Sequence, residues 1–234
     1  MANNYLGGVS AVYSGRSIAP RNLFASGTPK FLPSYAQLDG SKSRDTLNSD
    51  NVALLRAGLP LGKITSGGKY APSIIGYVAV ALHDTSAVTT TMTLPASTVT
   101  EIRRRIGASG TFKIYGPPTA AGTVATETVT YSAIASATTL TITATSADFV
   151  QGSIIMPADG SENHSQFVTA PYGLDVLDVN GAAVNHSQPL LTQADINVDM
   201  IPFYSVMDAS VKTGFKAALR TNNPGAAFTF SDDR

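Results

Sequence analysis

The sequence predicts a mainly β chain of the β-rich α+β class, carrying only short helices. Three observations lead there. Charged residues make up only 14% of the 234 positions, against about 25% in an ordinary soluble domain, and Thr, Ser, Ala and Gly fill their place, which suits exposed β-structure. Short β-branched and apolar runs recur between Gly, Pro, Asn and Asp clusters, the punctuation of hairpins. Helical spacing of apolar residues occurs in just two stretches.

Residues 1–54 show no sustained periodicity. Isolated apolar residues (Tyr5, Leu6, Tyr13, Leu23, Phe24, Phe31, Leu32 and Tyr35) lie on a backbone rich in Gly, Pro, Ser and Asn. A disordered tail is normally poorer in aromatics and richer in charge. Two readings stand open: an extended arm whose apolar anchors dock onto another protein, or an N-terminal strand with loops packed on its own domain. Residues 39–51 read as a polar loop.

Residues 59–65 read as a strand, with Leu59, Leu61 and the Lys63 stem on one face. Ser66-Gly67-Gly68 is a tight turn, because glycine supplies the positive φ such a turn requires. Lys69-Tyr70 resumes the strand, which halts at Pro72. Residues 74–82 are a mostly apolar strand bounded by Asp84-Thr85-Ser86. Thr98-Val99-Thr100-Glu101 has capping-box spacing, and Val99, Ile102 and Ile106 follow at helical intervals before Gly107, which predicts one short helix. Strands are expected at 111–115, 125–131, 139–145 and 149–156. In the third of these, Leu140 and Ile142 alternate with Thr139, Thr141 and Thr143, the period of a half-buried strand.

Residues 172–179 and 196–201 read as strands joined by a polar connection containing Pro189. A second helix is expected over 208–219. Asp208 can cap it, Val211, Phe215, Ala218 and Leu219 share one face, and Lys212, Lys216 and Arg220 suit its C-terminal half. An apolar strand at 226–230 closes the chain. There is no internal repeat.

Several function classes drop out on arithmetic. Lys+Arg and Asp+Glu number 16 each, so no cation excess exists to displace counterions along nucleic acid. No cysteine is present, which removes disulfides, thiolate ligands and thiol nucleophiles. No apolar run approaches the roughly 18 residues of a membrane span, and the first residues lack the cationic start and apolar stretch of a signal peptide. The expectation is a soluble, unexported chain that contacts neither nucleic acid nor membrane.

Catalytic constellations are sparse. His83, His164 and His186 are the only histidines; His164 has Ser161, Glu162 and Ser165 nearby, and His186 has Asn185 and Ser187. A Ser-His-acid triad is defined by geometry rather than spacing, and no Gly-x-Ser-x-Gly elbow accompanies these residues. They read as polar loop histidines. No metal-ligand spacing occurs: Asp175 and Asp178 sit on a strand pattern, and Asp159-Gly160-Ser161-Glu162 reads as a β-turn. Gly62, Gly67 and Gly68 are turn chemistry, since Gly68-Lys69 leads into Tyr70 and a strand instead of a P-loop helix. Arg103-Arg104-Arg105, the one charge run, reads either as a grip for an acidic partner or anionic nucleic acid, or as the solvated end of a short helix.

The outer blocks resemble a known family when joined across the middle. Ala57-Gly58-Leu59-Pro60-Leu61-Gly62-Lys63-Ile64-Thr65-Ser66-Gly67-Gly68-Lys69-Tyr70-Ala71-Pro72 looks like the opening hairpin of tailed-bacteriophage head decoration (capsid cement) proteins, the lambda gpD-like group. Asp159-Gly160-Ser161 and Tyr172-Gly173-Leu174-Asp175-Val176-Leu177-Asp178-Val179 look like its continuation. Ile201-Pro202-Phe203 and the helix from Asp208 to Leu219 resemble its later elements. The resemblance implies an extended N-terminal arm at 1–54, a gpD-like β-core at 55–73 and 158–234, and a small β-rich inserted domain at 74–157. It further implies a non-enzymatic homotrimer without cofactor, on the outer surface of a phage head. There it would clamp major capsid protein subunits and dock its arm by strand addition. The arm anchors would be Tyr5, Leu6, Tyr13, Leu23, Phe24, Phe31, Leu32 and Tyr35. A second reading is a phage tail-associated or surface glycan-binding β-module, although no Trp and nine dispersed Tyr offer no evident sugar platform.

Overall fold

The computed structural model describes residues 21–82, 90–116, 125–143, 145–223 and 225–233. Tyr5, Leu6, Tyr13 and His83 lie outside the described residues. Before residue 74 the chain forms β1 (Phe24–Leu38), β2 (Leu54–Leu55), β3 (Pro60–Lys63) and β4 (Tyr70–Pro72). The middle supplies β5 (Gly76–Tyr77), β6 (Thr90–Thr93), α1 (Ala96–Arg105), β7 (Gly110–Gly116), β8 (Ala125–Ile134), β9 (Thr139–Ile142) and β10 (Ile154–Pro157). The remainder forms β11 (His164–Phe167), β12 (Leu174–Asp175), β13 (His186–Ile196), α2 (Ala209–Thr221) and β14 (Ala227–Phe230). The chain is of the β-rich α+β class.

Two six-stranded sheets divide these elements. One runs β11-β3-β4-β1-β13-β14 and the other β5-β10-β7-β8-β9-β6, while β2 and β12 form a small pair. Every strand of the second sheet therefore comes from between residues 76 and 157. Each sheet has its own core. Leu38, Leu55, Leu61, Phe167, Leu191, Ile196, Phe215 and Phe230 belong to the first, and Phe112, Ile114, Val129, Tyr131, Leu140 and Ile142 to the second. Strand β10 serves both, because successive side chains of a strand point to opposite faces. Ile154 and Met156 enter the first core and Ile155 the second.

Two glutamines hold the first sheet in its curl. The Gln166 amide donates to Leu191 O (3.1 Å) and accepts from Leu191 N (2.8 Å). Gln188 donates to Phe167 O (3.0 Å) and accepts from Thr169 N (3.3 Å). Each side chain thus replaces a ladder partner between β11 and β13, satisfying backbone groups that burial would otherwise leave unpaired.

Several expectations change in the folded chain. The capping box at Thr98 does not form: α1 begins at Ala96 after Pro95, with no side-chain cap. Thr98 is buried against Gly76, where an added Cβ would overlap it, and Glu101 pairs with Arg104. The expected strand at 74–82 reduces to Gly76–Tyr77 plus a bridge from Leu82 to Phe149. The strand expected at 196–201 lies earlier, as β13, and Val198–Met200 is a 3-10 turn capped by Asn197. The polar, Pro-containing segment expected to be a connection is half of that strand, since Gln188 turns inward.

Helix α2 follows its pattern closely. Val211, Phe215 and Leu219 are buried, and the Asp208 carboxylate accepts from Ser210 N at 2.9 Å. Replacing Asp208 by Ala removes that cap and is expected to cost about 1 kcal/mol. A urea titration showing no change would mean that Ser210 N is satisfied otherwise.

Candidate interaction surface

Strand β1 carries four of the eight apolar residues expected to be docking anchors, a fifth directly precedes it, and the fold sorts them. Leu23, just ahead of it, is only 2% exposed within the first core. Its carbonyl accepts from Asn197 N at 2.8 Å, while Arg21 N donates to Pro171 O and the Arg21 guanidinium to Met200 O. Phe24 is half-buried, and its ring meets Phe31 edge-on at 6.4 Å. Phe31, Leu32 and Tyr35 are 39%, 47% and 59% exposed. Leu23 is enclosed in the chain's own first core, and residues 21–54 follow the second of the two readings open for this stretch. This stretch packs on its own body through Leu23, Leu38, Ala53 and Leu55, with Asp45 buried against Arg56 at 2.6 Å. Apolar burial and that ion pair hold it there.

The environment of β1 is asymmetric. It pairs antiparallel with β13 from Phe24↔Ile196 to Leu38↔His186, with four register irregularities. On its other side only Leu38 pairs, with Tyr70 of β4. Among the described residues, no strand pairs with that side of residues 24–37. Pro29 and Pro33 lack backbone donors, and Lys30 stands between them. Proline, charge and bulges are devices that blunt a sheet edge against strand addition. The exposed segment is thus better suited to offering side chains than to offering its backbone.

The arginine run has three different fates. Arg103 is exposed. Arg104 forks onto Glu101 (2.6 and 2.7 Å) and donates to Ser41 O. Arg105 has a side chain only 1% exposed. It donates to Pro72 O at 2.7 Å, Ser161 Oγ at 2.6 Å and Asp159 at 3.2 Å. Burial pushes its pKa down, opposed by the Asp159 charge. Burial of Asp159 alone would raise its pKa, but Arg105 and Ser161 outweigh it, leaving that carboxyl below its ordinary value. A solvated run end was the wrong picture for Arg105, because the helix end faces the other sheet's turn. Lys113 of β7 reaches the same turn through Glu162 at 2.7 Å.

The histidines do not assemble a relay. His164 is fully enclosed, its Nδ1 is 2.7 Å from Ser73 Oγ, and its ring lies 5.0 Å from that of Phe215. Burial lowers its pKa to about 4. Ser161 and Glu162, its sequence neighbours, are committed to Arg105 and Lys113. His186 is more exposed, with Nε2 2.6 Å from Asp175 O. Asp178 accepts from Asn180 N and Ala182 N in a turn. Among the described residues, no group of three or more His, Cys, Asp or Glu is placed to hold a metal ion, and no helix is long and apolar enough to cross a membrane. Gly67 and Gly68 have φ of 88° and 68° in the β3–β4 turn, the conformation that selects glycine.

Comparison of the chain with protein-family models, with curated proteins and with solved structures finds no match in any of the three.

Proposed function

We propose that this chain is a capsid decoration protein of a tailed phage, binding the major capsid protein lattice as a homotrimer and stabilising the mature head from its outer surface. The observation that carries the reading is the exposed group of Phe31, Leu32 and Tyr35 side chains on β1. The hairpin at 57–72 and the Asp159-Gly160-Ser161 turn, which resemble that family, add to it.

In this reading Phe31, Leu32 and Tyr35 enter apolar recesses of the shell, joined by Phe24 and by the N-terminal Tyr5, Leu6 and Tyr13. Fully burying a large apolar side chain is worth about 1.5–3 kcal/mol. Three that are already half-covered leave roughly 2–4 kcal/mol per subunit to gain. A cyclic trimer multiplies that contact by linkage, since one subunit's release leaves two engaged. Stabilisation of the head then comes from many modest contacts that must break together.

The test is co-sedimentation with expanded capsids that lack the protein. The triple variant Phe31→Ala, Leu32→Ala, Tyr35→Ala is expected to bind about 30- to 1,000-fold more weakly per site, with its sedimentation as a trimer unchanged. Parent protein that stays in the supernatant would sink the decoration reading. A triple variant that binds like the parent would remove these three anchors from it.

A further inference from the structure

We propose that Arg105 pins the unit built from residues 76–157 at a fixed angle on the rest of the molecule, so that the two units move as one rigid body. The inference is independent of the decoration reading. It starts from the two cores. Each sheet encloses its own apolar cluster, and the two meet along β10, whose Ile154 and Met156 enter the first core. Apolar packing is non-directional and by itself fixes no angle at the two chain crossings, near residues 72–76 and 157–160. What opposes bending lies beside those crossings.

All three acceptors of Arg105 belong to the other unit: Pro72 O at the end of β4, and Asp159 and Ser161 on the turn before β11. They approach the guanidinium from separate chain segments, so the planar fork fixes direction as well as distance. A buried cation that swung out of this cradle would leave its charge unpaired, which makes intermediate angles unfavourable. The 159–162 turn is braced in return. Glu162 takes Lys113 and accepts from Gly160 N at 2.6 Å, and Thr65 N donates to Asp159 O at 2.9 Å.

A second contact joins β7 to α2. Tyr115 of β7 lies so close to α2 that a Cβ on Gly214 would overlap its hydroxyl. Glycine is a poor choice inside a helix, and this approach explains its presence. Arg104 adds a third strut through Ser41 O. Charge, close packing and backbone bonding thus converge where the chain itself would flex.

The absence of cysteine makes the test clean. Thr128→Cys on β8 and Val179→Cys, 81% exposed on the 178–181 turn, introduce two thiols for spin labels, one on each unit. Pulsed electron-electron resonance of the labelled parent should give one narrow distance distribution. Arg105→Met is expected to broaden it at least twofold, while hydrogen exchange within each sheet stays protected. Arg105→Lys, which keeps the charge without the fork, should fall between. Parent-like widths in Arg105→Met would overturn the proposal. If that variant instead loses protection in both sheets, Gly214→Ala and Glu162→Gln decide: broadening in either supports the pinned joint, and parent-like widths in both overturn it.

Discussion

Lowering the pH from 6.5 to 4 is expected to remove about 3 kcal/mol of folding stability through one buried ring. His164 is enclosed by Ser73, Phe215 and the β3 strand, and burial lowers its pKa to about 4. The unfolded chain takes up the imidazole proton near the ordinary value of about 6.5. Between those values the unfolded state binds more protons than the folded one, so acid favours unfolding. The stability contributed by the neutral ring is complete above pH 6.5, falls through the interval, and is spent near pH 4. His164→Gln keeps a polar partner for Ser73 and cannot titrate. Urea midpoints of parent and variant, measured from pH 7 to 4, should therefore converge as the pH falls. Parallel curves would show that His164 is protonated in the folded state without penalty.

The carboxylates with lowered pKa values act mainly below this window. Asp39, Asp159, Asp208, Asp232 and Asp233 are held below the ordinary carboxylate value. Their contribution is present above the unfolded value of about 3.8 and is lost as the pH falls through the folded one. Asp159 has the Arg105 cation to hold it, and Asp233 has Lys216 and Arg220. The difference between parent and His164→Gln thus isolates the ring from the carboxylates.

How much of this was visible beforehand depends on the range of the interaction. The β-rich class, helix α2 and strand β9 were legible, because period and capping are local signals. The Thr139–Ile142 alternation appears in the fold with Leu140 and Ile142 buried. Strand β13 was not legible, since Gln188 and Pro189 resemble loop chemistry until β11 offers backbone groups for the glutamine to satisfy. Strand β1 was masked by its own irregularity, with prolines and bulges that break the period of two. The anchors divided for the same reason: nothing in the spacing of Leu23 and Phe31 reveals that one meets Asn197 and a core while the other stays outside. Arg105 was least legible of all. Three consecutive arginines look equivalent in sequence, and only the 100° step of a helix sends the third toward Pro72 and Ser161 while the first faces water.

Truncating neighbouring isoleucines on β10 should weaken different halves of the molecule. Ile154 and Ile155 are both fully buried, yet Ile154 packs in the first core and Ile155 in the second. Each loses the same atoms on mutation to Ala, and such truncations cost about 2–5 kcal/mol according to how far the cavity collapses. The strand pairs with Tyr77 and Gly76 on one side and with β7 on the other, so its backbone is held in both variants. Ile154→Ala should lower exchange protection first in β3, β11, β13 and α2. Ile155→Ala should do so in β7, β8 and β9, and the two patterns should exchange places between variants that differ by a single residue in position. A cost below 1 kcal/mol would contradict the packing, and identical exchange patterns would mean that the two cores unfold as one. The latter outcome would place the energetic boundary of the molecule elsewhere than between the faces of this shared strand.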